Sequence, residues 1–349
     1  MKLTEKNKDH SFGGLTGLAN LGNTCFVNSC IQILSHTHEL NDILNTNYKN
    51  KLNHKHPYDI ILLKEWDSLR RLMWSQNCVI SPGRFIKHLQ LVSIEKNREE
   101  FSNFSQNDSS EFFLFLIDCF HTALSRNVNV EIKGTPQNEK DKIAISCYHI
   151  VKNLFHKEYS EIYELFYGIH VSQIISLENE VILKNTPEPF TILNLPIPNM
   201  KQPSLTDCLD LYLQGEILDG ENSWFNESTG LKQPIQKQIV FWSLPKILVI
   251  DIKRFNHQNL HKNQVLVSFP IYQFNLTSYV NGYNNNTYIY DLYAICNHRG
   301  VTQGGHYYSF IKNNNKWFCF DDTNVNEIHD LNKLITPYAY CFFYRKRNI

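Results

Sequence analysis

The 349-residue sequence has no apolar run that approaches the roughly 18 residues a membrane-crossing helix needs. Its start, "MKLTEKNKDHSFGG", lacks the apolar core of a secretory signal. A soluble intracellular protein, cytoplasmic or nuclear, is expected. The chain has no excess of either charge: 34 Lys and Arg stand against 34 Asp and Glu, and there is no basic stripe beyond Arg345-Lys346-Arg347. Neither nucleic acid nor a membrane surface is therefore an expected partner, and the basic trio reads as a solvated tail. Cysteine pairing signals are missing too. The nine cysteines are odd in number and irregularly spaced, with no Cys-x-x-Cys anywhere, which argues against a disulfide framework and for reduced thiols. No metal or other cofactor is expected, and a monomer is.

What is present suffices for a sizeable core, with 42% hydrophobic and 13% aromatic residues. The polar residues 1–14 end in Gly13-Gly14 and read as a flexible tail, so folding should start near Leu15. From Phe26 to Leu34, helical spacing puts Val27, Ile31 and Leu34 on one buried face beside Cys30. Helical patterns follow at about 59–74, 83–94, 108–124 and 142–165, the third with Asp108 and Glu111 spaced as a capping box. After Gly168 the chain turns to β-branched and aromatic runs: "IHVSQII", "FTILNLPI", "QIVFW", "KILVIDI", "QVLVSF", "YIYDLYAI", "HYYSFI", "KWFCF" and "YAYCFFY". A helix, "SLTDCLDLYL", capped by Ser204, interrupts them, and the Asn-rich 281–287 reads as a hairpin loop. Helices first and strands later predict an α+β fold, its halves facing across a cleft.

Three places carry candidate chemistry. In "NLGNTCFVNSC", Cys25 stands at the first position of a helix behind a glycine turn. A helix start favours negative charge, and so the thiolate that makes cysteine a nucleophile. Far along the chain, "NHRGVTQGGHYYSF" carries His306 after two glycines that would admit a substrate backbone closely. Such a histidine could act as general base to the thiol and later as acid to the leaving amine. It needs an acceptor to fix its tautomer, and "WFCFDD" offers Asp321 or Asp322 at the end of the following strand.

"GLANLGNTCFVNSCIQ", "SQNDSSEFF", "LPKILVIDIKRF", "NHRGVTQGGHYYSF" and "KWFCFDDTNV" occur in this order, and together they resemble the catalytic domain of the ubiquitin-specific proteases, papain-like cysteine peptidases. The resemblance runs from about Leu15 to Tyr344 and leaves little room for accessory domains. It implies an α+β, papain-like fold over 15–346, with a helical thumb (about 15–165), extended β fingers (about 166–245) and a β-rich palm (about 246–346). It also implies Cys25 as nucleophile, His306 as its base, Asp321 as the orienting acid in preference to Asp322, and Asn20 as donor to the oxyanion. The family cleaves after the C-terminal Gly-Gly of ubiquitin, whose tail carries arginines. By resemblance, Asp108 and Glu111 could receive those arginines, Gln106 and Tyr307 match tail-contacting positions, and Gly304 and Gly305 line the narrow tunnel. Ubiquitin and ubiquitinated proteins are the implied partners and a thiol deubiquitinase the implied activity. The alternatives are a catalytically silent ubiquitin-binding scaffold and a peptidase for a ubiquitin-like modifier.

The sequence departs from the family at one place that matters. Many members hold zinc in the fingers with two Cys-x-x-Cys pairs, but here Ser176 and Asn179 align with the first pair and Asn226 and Thr229 with the second. With all four ligands gone, the fingers should hold by hydrogen bonding and apolar packing. Phe26-Val27 after the cysteine, and Asn107 and Ser109 in the Gln-rich box, are milder changes that leave the triad intact.

Overall fold

The computed structural model describes residues 13–103, 105–227, 229–256, 261–283, 288–301 and 304–347. Most of the expected N-terminal tail (1–12) and residues 284–287 of the expected hairpin loop lie outside the described residues. The chain forms two compact units, Met1–Ala123 with Ala294–Leu334, and Leu124–Tyr293 with Ile335–Ile349.

The first unit contains α1 (Cys25–Ser35), α2 (His38–Asn45), α3 (Pro57–Ser75), α4 (Gly83–Glu95) and α5 (Ser109–Leu124). At α3 and α4 the apolar spacing had predicted the ends to within a few residues. At α5, Asp108 Oδ1 accepts from the Ser110 and Glu111 amides at 2.8 and 3.1 Å, so the expected cap is formed. The eight-residue α2 went unpredicted, being too short to show a clear period. In α1, Val27, Ile31 and Leu34 are buried as expected, but so is every other residue of the helix. The expectation of one buried face is thus corrected to a helix buried all round, which its polar residues tolerate by finding partners. Gln32 Nε2, for example, donates to the Thr16 carbonyl at 2.7 Å. An antiparallel meander completes this unit: the end of strand Ile289–Val301, then Gly304–Asn313, Lys316–Asp321 and Asn324–Ile328. Helix α1 packs on the second and third of these strands. A short parallel pair joins Gly17–Leu18 to Val79–Ile80, and Gly17–Leu18 also contacts the last strand of the meander.

The second unit corrects two expectations and adds a strand. The single helical pattern at 142–165 is two helices, α6 (Glu139–Glu158) and α7 (Glu161–Phe166). Between them Tyr159 is extended and exchanges two backbone hydrogen bonds with Arg126, at 2.9 and 2.8 Å. Arg126 also holds Glu161 with two hydrogen bonds, at 3.0 and 2.8 Å, so tertiary pairing wins over helix continuation. The run "QVLVSF" is not a strand, and only Ser268 makes a bridge, to Ser204. Its backbone serves other groups: Ser268 brackets the start of α8 (Leu205–Leu213), and Val265 O accepts from the buried Arg254 at 2.9 Å. Conversely, Ile182–Phe190 is a strand although Pro187 and Pro189 argue against one. It lies at the edge of a four-stranded sheet, where a missing N–H costs no ladder bond.

Other elements follow their sequence signals. Ser204 caps α8 in a reciprocal capping box with Asp207. Strand Ile247–Ile252 is buried at every residue because it is central, paired in parallel with Ile192–Leu195 and antiparallel with Ala339–Lys346. Among the described residues, no helix is long and apolar enough to cross a membrane.

Candidate active site

All the residues proposed for chemistry lie in the first unit. The turn before α1 passes through Gly22 (φ 107°) and Asn23 (φ 51°), left-handed positions suited to glycine and asparagine. Asn20 closes this turn: its Oδ1 accepts from the Gly22 and Thr24 amides at 3.0 and 3.1 Å. Cys25 is the first helical residue, with no acidic side chain in that first turn to oppose a thiolate.

His306 sits on strand Gly304–Asn313, and Asp321 ends the neighbouring strand. His306 Nε2 lies 2.5 Å from Asp321 Oδ1. A carboxylate can only accept, so Nε2 carries the proton and Nδ1 is left for the Cys25 sulfur, with which the ring is hydrogen-bonded. The His306 pKa is pushed up to about 9, chiefly by the hydrogen bond to Cys25; partial burial opposes the rise and the Asp321 carboxylate adds to it. The imidazolium is thus favoured beside the sulfur.

Asp322 makes different contacts. Its Oδ2 accepts from Asn20 Nδ2 at 2.9 Å and its Oδ1 from Asn28 Nδ2 at 2.8 Å. The role of Asn28 was not foreseen from the sequence. The available signal was a carboxamide three residues after Cys25 on a mainly apolar helix.

The expected substrate-binding residues fall into two groups. Gln106 reaches strand Gly304–Asn313, where Nε2 donates to Gly305 O at 2.9 Å and Oε1 accepts from Gly305 N at 2.8 Å. A Cβ at Gly305 would come within 2.4 Å of His298 Nε2, so glycine is required there, whereas at Gly304 the nearest atom is Gln106 Oε1 at 3.6 Å. Tyr307 is buried against His298, ring centroids 4.5 Å apart. Asp108 is engaged as the cap of α5, and Glu111 is exposed on its first turn.

In the second unit, the positions aligned with zinc ligands close two hairpin tips instead. Asn179 Oδ1 accepts from Val181 N at 3.2 Å and Ser176 Oγ from Glu178 N at 3.3 Å. At the other tip, Asn226 O accepts from Gly230 N and Thr229 N at 2.8 and 3.2 Å. Neutral hydroxyl and amide oxygens are poor zinc ligands, and several are occupied by the turns themselves. The residues present do not fit the metal.

Residues 16–344 match the family model described as ubiquitin carboxyl-terminal hydrolase. The chain belongs to this family. Among its relatives, ubiquitin carboxyl-terminal hydrolase Usp2 of Drosophila melanogaster is 33% identical over 99% of this chain and 36% of its own length. Human ubiquitin carboxyl-terminal hydrolase 2 is 32% identical over 95% of this chain and 55% of its own. The chain thus spans about a third to a half of the length of these curated relatives.

The Ubp8/Sgf11/Sus1/Sgf73 deubiquitinase module of SAGA, solved bound to ubiquitin aldehyde, superposes with a TM-score of 0.75 at 24% identity, over 99% of this chain and 72% of that one. This likeness establishes the papain-like α+β fold that the motifs imply. It runs against the expected monomer, since that neighbour is solved in a module named for four components. Composition carries no signal for subunit contacts of this kind.

Proposed function

We propose that the chain is a thiol deubiquitinase that cleaves the isopeptide or peptide bond after the C-terminal glycine of ubiquitin. The observation that carries this reading is the hydrogen-bonded series Cys25, His306, Asp321 within a member of the ubiquitin carboxyl-terminal hydrolase family. The Cys25 thiolate attacks the glycine carbonyl carbon, and Asn20 donates its second amide N–H to the oxyanion. As the C–N bond breaks, His306 gives its Nδ1 proton to the leaving amine. Water then attacks the thioester while His306 takes its proton, the C–S bond breaks, and ubiquitin leaves with a free carboxylate.

The tail would lie beside Gly304 and Gly305, with Gln106 and Tyr307 next to it. Asp108 and Glu111 are the acids for its arginines, and Glu111 is the better placed because Asp108 is engaged as a helix cap. We assign residues 15–346 as the catalytic domain, with thumb, fingers and palm at about 15–165, 166–245 and 246–346. Nine free thiols suit a reducing compartment, cytoplasm or nucleus.

The test is labelling by ubiquitin carrying a C-terminal electrophile. Wild type should form a covalent adduct and release a fluorophore from the ubiquitin C-terminus, and Cys25→Ala should do neither. A wild type inert in both assays refutes the reading. Adduct formation only with a ubiquitin-like modifier would move the substrate to that modifier.

A further inference from the structure

A cavity of about 640 Å3 opens in the first unit, between α2, the second half of α3 and the turn after strand Gly304–Asn313. None of Cys25, His306, Asp321 and Asn20 lines it. Its size is that of a small-ligand cleft, roughly 300–1,000 Å3. Clefts of that kind are mostly apolar, whereas among the described residues this lining has no aliphatic side chain. The ligand it suits is therefore polar.

Charge at one end of the lining is unbalanced. Arg70 is only 5% exposed; its Nη2 lies 2.6 Å from Asp67 Oδ1 and donates to Asn45 Oδ1 at 2.8 Å. Arg71 turns its Nε to the same Asp67, 3.2 Å from each oxygen, with its side chain 58% exposed. One carboxylate thus serves two guanidiniums, and the Tyr48 hydroxyl draws on it too. Donors are left over: Arg70 Nε is buried with no partner among the described residues, and Asp67 takes Arg71 only at Nε. Guanidinium forks of this kind match phosphate oxygens.

A bare phosphate would fill little of the cavity. Asp42, exposed on α2 and also in the lining, would repel such an ion but can accept from sugar hydroxyls. Elsewhere the wall offers aromatic surface, Trp74 beside His38, and a buried acceptor, Asn41 Oδ1, with no partner among the described residues. Trp74 and Asn41 both donate to the Ser35 carbonyl, at 3.1 and 2.7 Å, so this part of the wall is preformed. We propose that the cavity binds a mononucleotide. Arg71 and the Nε of Arg70 donate to its phosphate, Asp42 accepts from its ribose hydroxyls, and its base lies along Trp74 with an N–H donated to Asn41 Oδ1. The site is independent of the thiol chemistry proposed above.

The experiment is calorimetric titration of the full chain with AMP, adenosine and inorganic phosphate. AMP should bind, and adenosine and phosphate should each bind at least about tenfold more weakly, since each meets only part of the lining. Arg71→Gln should weaken AMP binding about tenfold and leave adenosine unchanged. Asp42→Ala should weaken AMP severalfold yet strengthen inorganic phosphate. Both residues are exposed, so unchanged melting temperatures without ligand should accompany these shifts. Failure of AMP to bind with a Kd below about 1 mM would overturn the proposal. So would inorganic phosphate binding as tightly as AMP, which marks an adventitious anion site, or Arg71→Gln binding AMP like wild type.

Discussion

Replacing Asp321 by Asn isolates what charge contributes to the proposed triad. An Asn oxygen can still accept from His306 Nε2, so the tautomer is kept and the negative charge lost. A hydrogen bond to a charged group is worth about 1 kcal/mol more than a neutral one. No larger value applies, because the His306 and Asp321 side chains are 39% and 45% exposed and solvent screens them. At 1.36 kcal/mol per decade this predicts about a fivefold loss in kcat. Asp321→Ala, which removes the acceptor altogether, should cost about 10²-fold.

The pH profile is the sharper readout. His306 holds its proton up to about pH 9, well above its ordinary 6.5, so wild-type kcat/KM should fall only above about pH 9, as the imidazolium is lost. In Asp321→Asn that limb should move down, but not all the way to 6.5, because the hydrogen bond to Cys25 is the largest cause of the rise and remains. Stability has the same sign: a raised pKa stabilises the fold fully below pH 6.5 and loses that contribution as pH climbs through about 9. The assay is steady-state hydrolysis of fluorophore-tagged ubiquitin between pH 6 and pH 10. An unchanged rate and unchanged alkaline limb in Asp321→Asn would refute the assignment, decisively so if Asp322→Asn moved both.

Three further outcomes are expected. Gly305→Ala would put a Cβ within 2.4 Å of His298 Nε2 and 2.6 Å of Arg299 O, so the strand before His306 must shift; we expect a loss of about 1–3 kcal/mol in thermal unfolding together with reduced kcat. Arg254→Met removes a buried guanidinium that donates to the carbonyls of Ala339, Asn263 and Val265, which should cost about 3 kcal/mol, read as a lower urea midpoint; a change below about 1 kcal/mol would show that water replaces it. Prolonged chelation should leave the melting temperature unchanged because the hairpin tips close through Ser176, Asn179 and the Asn226 carbonyl, whereas one stoichiometric zinc in the purified protein would contradict this account of the fingers.

Local physics explains which parts of the fold were legible. The ends of α3 and α4 follow from apolar spacing and the caps of α5 and α8 from side chains a few residues away. The break between α6 and α7 depends on Arg126, the strand character of Ile182–Phe190 on its place at a sheet edge, and the irregular Gln264–Phe269 on the demands of Arg254 and α8. None of these is a property of the segment concerned.

The same division runs through the candidate site. The sequence by itself determined the family, through five ordered motifs, together with the residue types for a thiol nucleophile, a base, two rival acids and a carboxamide donor. It also shows that the four finger positions aligned with zinc ligands, Ser176, Asn179, Asn226 and Thr229, carry no thiol, because ligand chemistry is written in residue identity. The motifs ranked Asp321 above Asp322 as the partner of His306, and only the tertiary structure decided that Asp322 holds Asn20. Two adjacent aspartates are indistinguishable by composition, and a left-handed turn at Asp322 sends their carboxylates to different partners, Asn20 being 302 residues away along the chain.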